Sequence, residues 1–263
     1  MTGGHGWFNQ DGIEADGPHE VRKAARSQLK AGVDLIKVMA TGGVLTAGTQ
    51  PGAPQLTREE MAAAVEEAHK ADRTVAAHAE GRAGIFNAVL AGVDSIEHGY
   101  ELDDELIDLM LERGTFLCPT LTCDLRIAEH GTELGLPAEA VEKMRRWVDR
   151  LLASFELAHS AGVRIAAGND AFADWVPIAD MASEFEAMTH HGMDAHAAQL
   201  AATANAAELL QLPDEGSIVP GKRASLVILD GDPLTDINAL RAVVAVLKDG
   251  AWVARRNDEG LNL

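Results

Sequence analysis

AGVDSIEH (91–98), read beside AGVDLIK (31–37) and AGVRIAAGND (161–170), decides the fold. In each stretch a Gly follows a helix-like segment, as a helix C-cap does. A short apolar run comes next, of the length of a buried strand. The run ends each time on a residue able to bind a metal or join in its chemistry: His98, Lys37 and Asp170. In a parallel α/β barrel the C-terminal rim of the strands is where active sites are assembled. The repetition therefore predicts βα units that share one site.

Outward from these stretches the alternation continues. Residues 1–17 hold five glycines and read as a loop, and an amphipathic helix spans about 18–30. A Gly/Pro-rich loop, TGGVLTAGTQPGAPQ, follows the first strand. Thr57 and Glu60 have capping-box spacing ahead of a helix. Five strands are expected, at 34–39, 74–78, 94–98, 115–119 and 163–168, with a polar, charged segment over about 124–145 and helices near 178–191 and 194–210. Five strands do not close an eight-stranded barrel. The predicted fold class is α/β, a partial TIM-like (β/α) barrel over residues 1–212. A small C-terminal β module is expected over 213–263, where Gly, Pro and Asp turns break short β segments.

The chain carries 41 acidic against 22 basic residues, a formal charge of −19, which repels nucleic acid and anionic membranes. Cys118 and Cys123, five apart, match no zinc knuckle and no disulfide framework, and read as reduced, semi-buried thiols. Neither a signal peptide nor a bilayer-length apolar run is visible, so a cytoplasmic protein is expected.

His78, in VAAHAEG, and His98, in SIEHG, lie 20 residues apart, about one βα repeat. A lone His in an apolar run is commonly a core residue. Two at equivalent places on adjacent strands, with Asp170 in a third, make a set of neutral imidazole and carboxylate donors that suits zinc and similar ions. Lys37 has two readings. An ammonium inside a core is costly, so it either pairs with an acid or loses its proton to become a carbon dioxide-capturing amine, whose carbamate bridges metals.

IKVMATGGV, VAAHAEG, SIEHG and AAGND, in that order, resemble the amidohydrolase superfamily, in particular its imidazolonepropionase-like and Xaa-Pro dipeptidase (prolidase)-like members. The run ATANAAELLQLPDEGSIVPGKRASLVILDGDPLTDI is similar to that family's C-terminal end. The resemblance implies a metal-dependent hydrolase that cleaves C–N bonds of amides, peptides or cyclic amides. It casts Lys37 as the carboxylated bridging lysine, His78 and His98 as ligands of the second metal, and Asp170 as metal ligand and general base. His5, in TGGHG, matches a loop position near the substrate, and Asn169 stands where members more often have Thr. Arg82 and Tyr100, just after the two histidines, are candidates for a substrate carboxylate, or else surface and supporting residues.

The family's first strand carries a His-x-His pair that this chain lacks. His190 and His191 are adjacent, and His19 stands alone. The sequence thus resembles such an enzyme without its N-terminal third: a truncated coding sequence, an expression fragment or a degenerate copy. A complete enzyme would hold two zinc ions, this chain one or none. The competing function is an inactive remnant serving as a binding or oligomerisation module. A small dipeptide-like amide is the expected substrate. A homo-oligomer is expected too, because a partial barrel leaves an apolar edge open.

Overall fold

The three Ala-Gly-Val junctions fold alike in the computed structural model, which describes residues 1–5, 12–171, 176–178, 180–257 and 260–262. Gly32, Gly92 and Gly162 each end a helix in the left-handed conformation, with φ of 88°, 92° and 83°. A side chain there would be strained, which explains the recurrence of Gly after Ala at each junction. Of the loop expected over 1–17, residues 6–11 lie outside the described residues.

In chain order the barrel-like part runs α1 (Gly17–Ala31), β1 (Leu35–Met39), α2 (Arg58–Lys70), β2 (Thr74–Ala79), α3 (Arg82–Ala91), β3 (Ser95–His98), α4 (Asp104–Arg113) and β4 (Phe116–Cys118). It continues with α5 (Leu121–His130), α6 (Ala138–Ala161), α7 (Met181–His190), α8 (Ala195–Ala202) and α9 (Ala204–Leu209). The strands form one parallel sheet in the order β1-β2-β3-β4. The capping box forms as expected: Glu60 N–H donates to Thr57 Oγ1 at 3.2 Å, and Thr57 N–H donates to Glu60 Oε2 at 2.7 Å.

Two expectations need correction. Residues 163–168 do not form a fifth ladder among the described residues; Ile165 makes a single parallel bridge to Leu117. On the edge of this segment that faces away from β4, helices take the backbone groups: Ala167 N–H donates to Ala201 O at 2.9 Å and Asn205 Nδ2 donates to Ile165 O at 2.8 Å. The polar segment over 124–145 is also mostly helical, divided between α5 and α6. Helix α5 buries Asp124 and Thr122 along with Leu121 and Ile127, so its inner face does not read as an apolar stripe.

The C-terminal meander contains β5 (Leu226–Leu229), β6 (Val243–Lys248), β7 (Ala251–Asn257) and β8 (Gly260–Asn262), antiparallel in that order. Its β6–β7 turn is Asp249-Gly250, with φ of 52° and 80°, the positive pair that tight hairpins favour. No helix among the described residues is long and apolar enough to cross a membrane.

Candidate active site

Parallel register places the site. Lys37 pairs with Ala76 and Met39 with His78, so Lys37 and His78 share one face of the sheet, one pleat apart. His78 pairs with Glu97, and strict alternation would turn the next residue, His98, to the opposite face. His98 escapes alternation through a left-handed backbone with φ of 73°. Its ring then lies 4.7 Å from that of His78. Asp170, just beyond the fifth strand-like segment, is left-handed too, with φ of 46°. Such conformations cost a non-glycine residue on the order of 1–3 kcal/mol and cluster at functional sites.

His5 comes from the N-terminal loop and stacks on His78, with ring centroids 4.4 Å apart. Its Nδ1 lies 2.8 Å from Thr46 Oγ1, and its N–H donates to Gln55 Oε1 at 2.7 Å. The TGGV turn makes room for it. A Cβ on Gly43 would sit 2.3 Å from His5 Cε1.

His5, Lys37, His78, His98 and Asp170 line one cavity of about 540 Å³. Glu80, Cys123 and Asp124 join its wall, beside apolar residues such as Val44 and Leu56. The floor is buried and the rim open: His78 and His98 are 4% and 6% exposed, whereas Lys37 and Asp170 are exposed. The expectation of a Lys37 in the core is therefore corrected. β1 is the edge strand of the sheet, so this face of it meets the cavity mouth. Asn169, buried, donates from Nδ2 to Pro177 O and Asp180 O at 3.4 Å each, which ties down the backbone that presents Asp170.

The imidazoles are held neutral. Burial is the main cause at all three, bringing His5 and His98 down to about 4 and His78 well below its usual value. His78 Nε2 meets Gly42 O at 3.0 Å, and His98 Nδ1 meets Thr120 Oγ1 at 2.7 Å. Burial also pushes Glu80 and Asp124 well above the carboxylate range, with Asp124 repelling Glu80 and Asp170 repelling Asp124. Oε2 of Glu80 is buried without a hydrogen-bond partner. Both cysteines are free and buried outright, and burial raises their thiols.

Arg82 and Tyr100 do not line the cavity. Arg82, in the first turn of α3, is held outward by Asp103 and Glu105. Tyr100 is 1% exposed and lies behind His98, ring centroids 6.1 Å apart, with its hydroxyl 3.7 Å from Met144 Sδ. Sequence reading missed Glu80, Asp124 and Glu184. Glu80 had one signal, its place two residues after His78, just past the end of a buried strand. For Asp124 and Glu184 none is visible, because carboxylates are expected outside.

Two neutral imidazoles and a carboxylate are donors that suit a divalent ion such as zinc. Among the described residues, however, no three His, Cys, Asp or Glu side chains are gathered into a ready metal cage. The chain supplies donors of the right chemistry rather than a closed site.

Comparison with known proteins places the chain in a family. Ochratoxinase of Aspergillus niger is 37% identical over 243 residues, which cover 90% of this chain and 49% of that protein. The crystal structure of a Xaa-Pro dipeptidase with bound methionine in the active site superposes with a TM-score of 0.86 at 38% identity, covering 95% of this chain and 65% of that one. A prolidase complexed with N-methylphosphonate-L-proline superposes with a TM-score of 0.89 at 34% identity, covering 97% and 67%. The chain thus spans about half the length of the curated relative and about two-thirds of these structures. Residues 1–253 match the model of the Amidohydrolase family, and the chain belongs to that family.

Proposed function

We propose that this chain carries part of the active site of a divalent-metal-dependent hydrolase that cleaves C–N bonds in small, dipeptide-like amides. The observation that carries the proposal is the convergence of Lys37, His78, His98 and Asp170, from four separate segments, on one cavity at the C-terminal rim of a parallel sheet. Ochratoxinase and the two prolidase-type structures support the choice of amide substrates.

In this reading His78, His98 and Asp170 would hold zinc, with Lys37 as a further donor once carboxylated. When bound, the metal supplies a water whose pKa falls from about 16 towards about 7. Asp170, exposed at the rim, would serve as the proton acceptor for the attacking water and as the donor to the leaving nitrogen. His78 and His98, kept neutral by burial, present lone pairs at working pH. Val44 and Leu56 offer an apolar wall to the substrate's side chain. Lys37 stands open to solvent, so the carbamate needs a cover over β1, which a second copy of the chain would provide in a homo-oligomer.

The test is incubation of the zinc-loaded protein with a panel of Xaa-Pro dipeptides and N-acyl amino acids. Release of a free amino acid that disappears in His98→Ala supports the proposal. Zinc-loaded protein that binds these compounds without cleaving any of them contradicts it and identifies an inactive binding module.

A further inference from the structure

We infer that Arg241, on the C-terminal β module, and Asp180 are positioning residues for Asp170, acting through the side-chain amide of Asn169. The latch begins beside Asp170. Asn169 Nδ2 donates to Pro177 O and to Asp180 O at 3.4 Å each, so its two amide protons tie the residue before Asp170 to two points on the chain ahead. Asp180 N–H in turn donates to Pro177 O at 2.9 Å. Asn169 is 5% exposed, and Asp170 keeps a left-handed φ of 46°. A non-glycine residue holds such a conformation only where its surroundings fix it.

The Asp180 carboxylate does the fixing. Asp180 is the N-cap residue of α7 but makes no side-chain cap bond to that helix. Asp103 and Asp194, at the N-caps of α4 and α8, accept from Leu106 N–H and Ala197 N–H at 3.0 and 2.9 Å, as N-cap aspartates do. At Asp180 the oxygens are drawn to side chains instead. Oδ1 accepts from Arg241 Nη1 at 3.0 Å, and Oδ2 accepts from Arg126 Nη2 of α5 and from Ser183 Oγ at 2.6 Å each. Arg241 ends a 3₁₀ turn, Ile237–Arg241, between β5 and β6. Its guanidinium follows α7 in three-residue steps. After Asp180 it meets Ser183 Oγ at 3.0 Å, then both carboxylate oxygens of Glu186 at 2.6 and 2.9 Å. Ile237 and Leu240 of the same turn pack on the core. The module thus holds the N-terminal end of α7 and, through it, the backbone that carries Asp170.

That Asp170 meets a metal rests on the function proposed above; the latch does not. Zinc titration of Arg241→Gln, Asn169→Ala and the double variant tests the path. Each single substitution should weaken binding about 10-fold, as loss of a group that supports a ligand without touching the ion does. The double variant should bind no more weakly than Asn169→Ala, because both residues act on one path. By charge alone, removing a cation would strengthen zinc binding. Unchanged or tighter binding in Arg241→Gln, or losses that add in the double variant, therefore overturns the inference. Arg241→Lys, which keeps the charge but not the fork, should behave as Arg241→Gln. Metal-free wild-type protein gives a test that no variant has to survive. The protons of its Asn169 side-chain amide, assigned by triple-resonance spectra, should exchange with solvent slowly, and exchange as fast as that of an amide in water overturns the latch. A slow Asn169 amide that speeds up in Arg241→Gln, in a protein that binds no zinc, supports the latch and refutes the metal reading.

Discussion

The two sheets reverse what their sequences suggest. TVAAHA, the β2 strand, is the less apolar segment, yet it is buried along nearly its whole length. LVIL, the β5 strand, is wholly apolar, yet Val227 and Ile228 are 59% and 41% exposed. Trp252 and Val253 of β7 are likewise 53% and 45% exposed. Burial here follows what packs against a strand, not how apolar the strand is. Helices cover the parallel sheet, and the cavity with its histidines sits in that covered region. The meander buries little of its own surface, with Ala245 and Ala254 among the few strand residues it encloses.

Truncation series should separate the two regions. Ile96→Ala, at a fully buried position of β3, should cost about 2–5 kcal/mol in urea unfolding. A loss under about 1 kcal/mol would mean that the parallel sheet is not the stabilising half.

Glu184→Ala should cost roughly 2–4 kcal/mol, because it leaves two buried N–H groups at the start of α5 without acceptors. The same residue gives stability a pH dependence. Burial raises the Glu184 carboxyl from 4.5 to about 7, so between these values the folded protein keeps a proton that the unfolded chain has released. Its contribution is complete below about pH 4.5, falls by on the order of 3 kcal/mol as pH rises to about 7, and is flat above. Glu184→Gln should flatten that part of the profile. An unchanged slope would assign it to other groups.

Smaller effects are expected closer to the surface. Gly43→Ala should displace His5 from its stack on His78 while costing under about 1 kcal/mol, and loss of the cross-peaks between the two rings would report it. Val227→Ala in β5 should stay within about 0.5 kcal/mol of the parent. A larger cost would show that the meander's apolar face is covered in solution by something other than this chain.

The recurring Ala-Gly-Val junctions made the βα units, the strand ends and the placement of His98, Lys37 and Asp170 legible before any coordinates, and the 20-residue spacing from VAAHAEG to SIEHG did the same for His78. Period and capping chemistry are local, and sequence displays them. The environment of those residues was not legible. Lys37 was expected in a core and stands exposed at a sheet edge, because strand neighbours decide its burial. The α5 helix was read as a polar segment, since its inward positions include Thr122 and Asp124. Glu80, Asp124 and Glu184 are buried acids whose partners come from distant parts of the chain, such as Glu184 reaching 63 residues back to Leu121. His98 shows both sides: its strand was evident, but the backbone twist that returns its ring to His78 was not.

The central claim is that these converging donors hold a divalent ion. Calorimetric titration of zinc into the metal-free chain, alongside His78→Ala and His98→Ala, tests it most directly. A saturable site of about one ion per chain that both substitutions abolish is the expected result. Absence of binding, or binding that both variants retain through histidines elsewhere on the chain, would contradict it.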